Sequence, residues 1–397
     1  MIVIQASSKS YLGAPDKSIM EIGGEMVIQK LVAKLLQIPD VEIVIAAPTW
    51  DEGGCFDSLA GNLKSDRLRI YYGSPESPLE RILGATKNLG NDEHICRIDG
   101  LNLFIRTEDI FKMLRKAQEE HLDILKFPDD FPPAFGCDIY NMGALRKLPK
   151  LNVDAIFNIH PKFYMFKNKD VFKCDFYTSY AIFDDGYLST ARETMRAIYD
   201  FKRLDVEEND PKYIVPSGNQ ISFHYELAFG KIGNDKTVLD LACGNGFGSR
   251  IMARNKTNKF LGVDIDNAII EEAIALSTQN ENVKFETVDI LNNDFEPEFF
   301  DTILAFEIIE HIPPDLLLSN MHRILKKGGE IYISTPQNRM GHIPVCYEHM
   351  KEYSSSELAN LVEEHFTIKE FSGIKQGNII FENDRIGNNS FIIATKN

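Results

Sequence analysis

Residues 238–248, VLDLACGNGFG, constrain the fold of this chain more than any other stretch. An apolar, strand-like run carries an acid, Asp240, and passes straight into Gly244, Gly246 and Gly248. Glycines let the main chain turn tightly and let a ligand approach it closely. A helix that follows such a turn offers free N–H groups at its N-terminus. Two later strand-like runs end in acids, Asp264 in GVDID and Asp289 in TVDI. Asp264 stands twenty residues after Gly244, a spacing that suits a carboxylate accepting from ribose hydroxyls. Asp289 is placed to accept from an adenine amino group. A glycine turn alone is shared by many nucleotide folds; three acids in register at successive strand ends narrow the choice.

The turn belongs to a wider grammar. Residues 236–242, 259–265, 283–290, 300–306 and 328–335 read as strands, with helical spacing at 267–278 and 314–326. The same alternation occupies the first half. Strands are expected at 1–5, 41–47, 68–72 and 94–98, and helices at 24–37, 78–88 and 107–120. Such βαβ alternation predicts parallel sheets covered on both faces. The acidic, Pro-bounded segment 203–216, RLDVEENDPKYIVP, reads as a linker. We therefore expect two α/β domains, 1–205 and 206–397.

Composition limits the partners. Lys and Arg number 43 against 59 Asp and Glu, a net charge of −16 over 397 residues. That balance argues against a dedicated nucleic-acid binder. No apolar run approaches the ~20 residues that span a bilayer. The opening MIVIQASSKS reads as a strand rather than a signal peptide. The six cysteines are scattered without a C-x-x-C pair, so reduced thiols and a cytoplasmic setting are expected. Oligomerisation is left open.

After the fourth strand of the second half comes EIIEH, 307–311. If the segment is helical, Glu307, Glu310 and His311 share a face. Two carboxylates and an imidazole can bind a divalent metal or serve as acid and base. His342 and His349 lie in the following 335–353 stretch and can complete a metal site of Glu307, Glu310, His311 and His349. The other readings are that Glu310 pairs locally, and that His311 acts alone as base or only packs. The Pro, Gly, His and Tyr content of 335–353 suits a lid.

Residues 216–370 resemble the class I S-adenosylmethionine-dependent methyltransferases. The glycine turn with Asp240, the acids Asp264 and Asp289, and FDTILAFEIIEHI match that family in order. The resemblance implies S-adenosylmethionine as cofactor, with Gly244 and Gly246 bordering its methionine part. It implies a cofactor set of Asp240, Ala242, Gly244, Gly246, Asp264, Ile265, Asp289, Ile290, Phe306 and Glu307. It also implies Glu310 and His311 as catalytic residues, and a loop over the acceptor like that of methyltransferases acting on glycans and quinones.

Residues 1–200 resemble the cytidylyltransferases of surface-polysaccharide synthesis. The resemblance rests on MIVIQA, GSPESPLERI (73–82), RIDGLNLFI (97–105), GCDIYNMGAL (136–145) and YLSTARETMRAIYDF (187–201). It implies a CTP or CMP site at Gln5, Ala6, Ser7, Lys17, Arg81, Asp99 and Asp138, with Mg²⁺ held by carboxylates. Two departures stand out. Ser7 replaces an expected arginine, and Leu101 stands where the family has its metal-binding aspartate. Two readings stay open: transfer to a sugar acid with a shifted metal site, or binding of nucleotide, sugar or a partner without catalysis. Loss of the carboxylate favours the second. Together the halves predict a methyltransferase acting on a sugar, nucleotide-sugar or glycan acceptor.

Overall fold

In the computed structural model, residues 1–9, 16–151, 155–181, 183–204, 220–340, 346 and 348–397 are described. The chain divides into two units, Met1–Asp205 and Val206–Asn397. Most of the expected linker 203–216, and His342 with it, lies outside the described residues.

The first unit contains β1 (Ile2–Gln5), the hairpin β2 (Glu21–Ile22) and β3 (Glu25–Met26), β4 (Ile43–Pro48), β5 (Leu68–Gly73), β6 (His94–Asp99), β7 (Ile124–Lys126), β8 (Asp138–Asn141) and β9 (Cys174–Phe176). Its main sheet has the order β5-β4-β1-β6-β8-β7-β9. Strands β5, β4, β1 and β6 are parallel, as the βαβ alternation predicts. Beyond β6 the expectation of an all-parallel sheet fails: β8 runs antiparallel to both β6 and β7. The short loop between β7 and β8 leaves no room for a crossover helix. The Val27–Leu35 helix buries Val27, Ile28, Leu31, Val32 and Leu35, the face its apolar spacing dictates.

The second unit contains β10 (Thr237–Leu241), β11 (Lys259–Asp264), β12 (Val283–Thr287), β13 (Phe300–Phe306), β14 (Leu325–Pro336), β15 (Thr367–Lys375), β16 (Ile379–Ile380) and β17 (Asn389–Thr395). The sheet order is β12-β11-β10-β13-β14-β17-β15-β16, with β12 to β14 parallel and β17 antiparallel to β14. Alternate side chains of the central strands enter two cores. Leu239, Leu241, Ile303 and Ala305 face helices Pro314–Ile324 and Ser355–Glu363. Val238, Phe260, Leu304 and Phe306 face Tyr225, Met252 and Ile270, from helices Gln220–Phe229, Phe247–Met252 and Asn267–Leu276. Burial of both faces explains the near-continuous apolar runs of these strands. Among the described residues, no helix is long and apolar enough to cross a membrane.

Strand order reverses between β1 and β6 in the first unit and between β10 and β13 in the second. Open α/β sheets bind ligands at the carboxyl ends of strands beside such a reversal. Each unit therefore has one crevice that its topology selects.

Candidate active site

In the first unit the crevice edge is occupied by charge that is already paired. Gln5 ends β1 and accepts from Arg97 Nε and Nη2 at 2.9 and 2.7 Å. Arg97 also bonds Asp99 and lies 3.4 Å from Asp138 Oδ2, which Lys162 approaches at 3.6 Å. Burial pulls the Arg97 guanidinium down, but Asp99 and Asp138 more than offset this and hold it charged. Ala6 is buried, and Ser7 donates to the Lys9 carbonyl at 2.7 Å. Lys17 opens a short 3-10 turn, Lys17–Ile19. Arg81 is buried and braces its own loop through the carbonyls of Ser74 (2.7 Å) and Pro75 (3.2 Å). Leu101 packs against the apolar pair Met20 and Val27. The structure thus brings Gln5, Asp99 and Asp138 together around a residue that sequence reading passed over, Arg97.

In the second unit the carboxyl ends of β10, β11, β12 and β13 align, since Leu241 pairs with Val263 and Ala305, and Asp264 with Thr287. The glycine turn sits on this edge. Ala242, Gly244 and Gly246 all have positive φ (51°, 53° and 73°). Nothing lies within 4 Å of where a Cβ on Gly244 would stand, so the turn presents bare main chain to open space. Gly246 caps the Phe247–Met252 helix. Gly248 has a different purpose: an added Cβ would lie 1.9 Å from the Tyr225 ring.

Asp240 lies beneath the turn rather than in the crevice. It is fully buried, and its oxygens accept from Tyr225 Oη at 2.9 Å and Ser249 Oγ at 2.5 Å. Burial raises its pKa to about 6 against the pull of those two bonds. Its part in ligand binding runs through the turn it anchors. Asp264 accepts from the Gly244 N–H (3.1 Å) and the Asp266 N–H (3.0 Å). A carboxylate has about four lone-pair sites, so acceptor capacity remains for a diol. Ile265 beside it is 70% exposed, an apolar face at the rim of a polar crevice. Asp289 is exposed and accepts from the Leu291 N–H at 2.9 Å. The Ile290 side chain is buried in the core, so only its main chain is available to a ligand. Phe306 is buried against Tyr225 and is followed by Glu307 at φ 53°.

EIIEH is a turn, not a helix, closed by His311 N–H to Ile308 O at 2.9 Å. The expected common face therefore does not form. Glu307 accepts from Ser334 Oγ at 2.8 Å and from Asn389 Nδ2 at 3.1 Å. Glu310, His311 and His349 do converge, with ligand atoms within 4.8 Å of one another. Glu310 is 1% exposed; Oε2 accepts from Thr335 Oγ1 at 2.8 Å, while Oε1 is buried without a partner. Burial, then the nearby Glu307, pushes Glu310 up to about 8. His311 Nδ1 contacts the Glu348 carbonyl at 3.1 Å and His349 Nδ1 contacts Glu352 Oε1 at 2.7 Å. Metal-binding histidines are oriented by such carbonyl and carboxylate partners. The orphaned oxygen, the two oriented imidazoles and their mixed O and N donors fit a divalent cation.

Helix Gln220–Phe229 supplies residues that sequence reading missed. Beside Tyr225, His224 is fully buried, lies 2.9 Å from Ser334 Oγ, and is lowered to about 4 by burial. The signal available was a polar SFHY run at 222–225 inside an apolar helix.

Comparison with known proteins places this geometry in a family. Residues 232–383 match the model of a methyltransferase domain. A mitochondrial ubiquinone biosynthesis O-methyltransferase of Candida albicans is 32% identical over 153 residues, 34% of this chain and 46% of that protein. Phosphoethanolamine N-methyltransferase 2 of Caenorhabditis elegans is 31% identical over 127 residues, 31% of this chain and 29% of that protein. A ubiquinone biosynthesis O-methyltransferase of Coxiella burnetii is 33% identical over 104 residues, 25% of this chain and 43% of that protein. The chain spans less than half the length of each of these relatives. The strand order, the glycine turn over Asp264 and the family match together make the second unit a class I S-adenosylmethionine-dependent methyltransferase domain.

Proposed function

We propose that the second unit methylates a hydroxyl of a small polar acceptor, with S-adenosylmethionine as donor. The observation that carries this reading is the group Glu310, His311 and His349 on the loops that follow β13 and β14. S-Adenosylmethionine supplies a methyl group on a positively charged sulfur. Bare main chain at Gly244, the Asp264 carboxylate and the exposed Ile265 would hold it. The relatives' names include both an O- and an N-methyltransferase, so they leave the methylated atom open. The site favours oxygen. A hydroxyl must lose its proton during transfer, and half-buried His311, held below its ordinary value by burial, is a proton acceptor at hand.

A divalent cation on Glu310, His311 and His349 would lower the pKa of a bound hydroxyl. The chain's own contribution is to orient those donors: Thr335 fixes Glu310, Glu348 fixes His311 and Glu352 fixes His349. The Glu310 carbonyl accepts from Met350 N–H at 2.7 Å, which holds the residue after His349 against the turn. A sugar-type acceptor rests on the resemblance of the first unit alone, and cytidylyl transfer there has only that resemblance behind it.

Calorimetry with S-adenosylhomocysteine on wild type and Asp264→Ala tests the cofactor site; absence of binding to wild type rejects the reading. Methyl transfer from labelled donor to hydroxylated and aminated acceptors, before and after chelation, tests the rest. Transfer to amines only, undiminished by chelation, rejects both the hydroxyl and the cation.

A further inference from the structure

Resemblance to a nucleotidyltransferase brings with it an expectation of Mg²⁺ on carboxylates at the crevice edge of the first unit. The residues present do not fit that ion. Asp99 and Asp138 are the two carboxylates that the topology delivers there, at the end of β6 and the start of β8. Arg97 and Asp99 lie two apart on β6 and so share a face. Arg97 is also the direct register partner of Asp138. Its guanidinium consequently sits between both acids and adds two bonds to Gln5 of the neighbouring strand. Lys162 approaches Asp138 from the Pro161–Lys167 helix. Lys126, the register partner of Asp138 on its other side, pairs with Asp129. Asp99, Asp138 and Asp129 thus each already face an internal cation.

We infer that Arg97 has taken the place of a divalent cation in the first unit, so that this crevice works without metal and does not carry out metal-dependent nucleotidyl transfer. Three physical points support the substitution. Mg²⁺ demands near-octahedral oxygens at about 2.1 Å, and the guanidinium already engages Asp99 Oδ1 and approaches Asp138 Oδ2. A dication placed beside Arg97 and Lys162 would meet like charges in a poorly solvated site, with side chains 13% and 16% exposed. Leu101, at the position where the resemblance expects the metal-binding aspartate, is committed to apolar packing. Arginine is suited to the role because its planar fork stays charged when buried and serves several acceptors at once.

The test uses Mn²⁺ as the probe, counted by electron paramagnetic resonance on the full-length chain with and without CTP. Wild type, Asp99→Asn and Asp138→Asn should bind the same number of ions per chain, since neither acid is a ligand. Loss of one bound ion in either variant overturns the inference. Should those variants fail to fold, wild type alone decides. Pyrophosphate release from CTP and Mg²⁺ with candidate sugar acids should stay at background, and release that chelation abolishes overturns the inference. Cation binding at Glu310, His311 and His349 is distinguished because Glu310→Gln removes that ion and leaves the Asp99 and Asp138 comparison intact.

Discussion

The hydroxyl of Tyr225 donates to a buried carboxylate oxygen of Asp240 at 2.9 Å. This bond ties a helix that precedes the family-matched residues to the strand that carries the glycine turn. The cofactor turn therefore depends on a residue outside the segment that defines the domain.

Tyr225→Phe should weaken both stability and cofactor binding. Asp240 keeps only Ser249 as a partner, and a lost hydrogen bond to a charged group costs about 1.5–3 kcal/mol. Chemical denaturation and calorimetry with S-adenosylhomocysteine should both register the change. Gly248→Ala should destabilise by about 1–3 kcal/mol through overpacking, because the new Cβ meets the Tyr225 ring at 1.9 Å. If Tyr225→Ala fails to relieve that penalty, the contact is not its cause.

Asp264→Ala removes an acceptor for two main-chain N–H groups as well as for a ligand. Affinity for S-adenosylhomocysteine should fall about 10- to 100-fold, the value of one or two charge-assisted bonds. The circular-dichroism spectrum should be unchanged, because Asp264 stands at a strand end.

Acid should destabilise the second unit through His224. Burial lowers its pKa to about 4 from an ordinary 6.5, so the unfolded chain binds the proton more readily. The stability contributed by the neutral ring is complete above pH 6.5 and is lost as pH falls toward 4. At 1.36 kcal/mol per pKa unit the loss is about 3 kcal/mol. Thermal unfolding followed from pH 7 to pH 4 should show this slope in wild type and a shallower one in His224→Asn.

Lys126→Met should destabilise the first unit by about 3–5 kcal/mol, since it removes the buried cation that pairs with Asp129. Adding Asp129→Asn should recover much of the loss, because it removes the second charge of the buried pair. Denaturation of the single and double variants measures the difference. Equal instability of the two would mean that ring packing of Lys126 against Phe166 and Phe176, each 4.9 Å away, is what matters.

The sequence by itself determined the periodic part of this protein. Runs such as FDTILAF and KFLGVD can only be buried strands, and their alternation with amphipathic helices sets the parallel core of each sheet. It likewise located the glycine turn and Asp264 at a strand end, and it named Glu310, His311 and His349 together with Glu307, which stands apart from the three that converge. Only the tertiary structure decided what each side chain faces. Asp240 and Ile290 look like ligand residues in one dimension, yet burial turns the first into an anchor and the second into core. EIIEH has helical spacing but forms a turn, and His349 lies near Glu310 beside Met350, whose N–H donates to the Glu310 carbonyl. Arg97 and Tyr225 were passed over because Gln5 and Asp138, which join Asp99 around the first, and Asp240, which holds the second, lie 92, 41 and 15 residues away. Hydrogen bonds and ion pairs act over a few ångströms of space, and only folding brings such distant residues within that range.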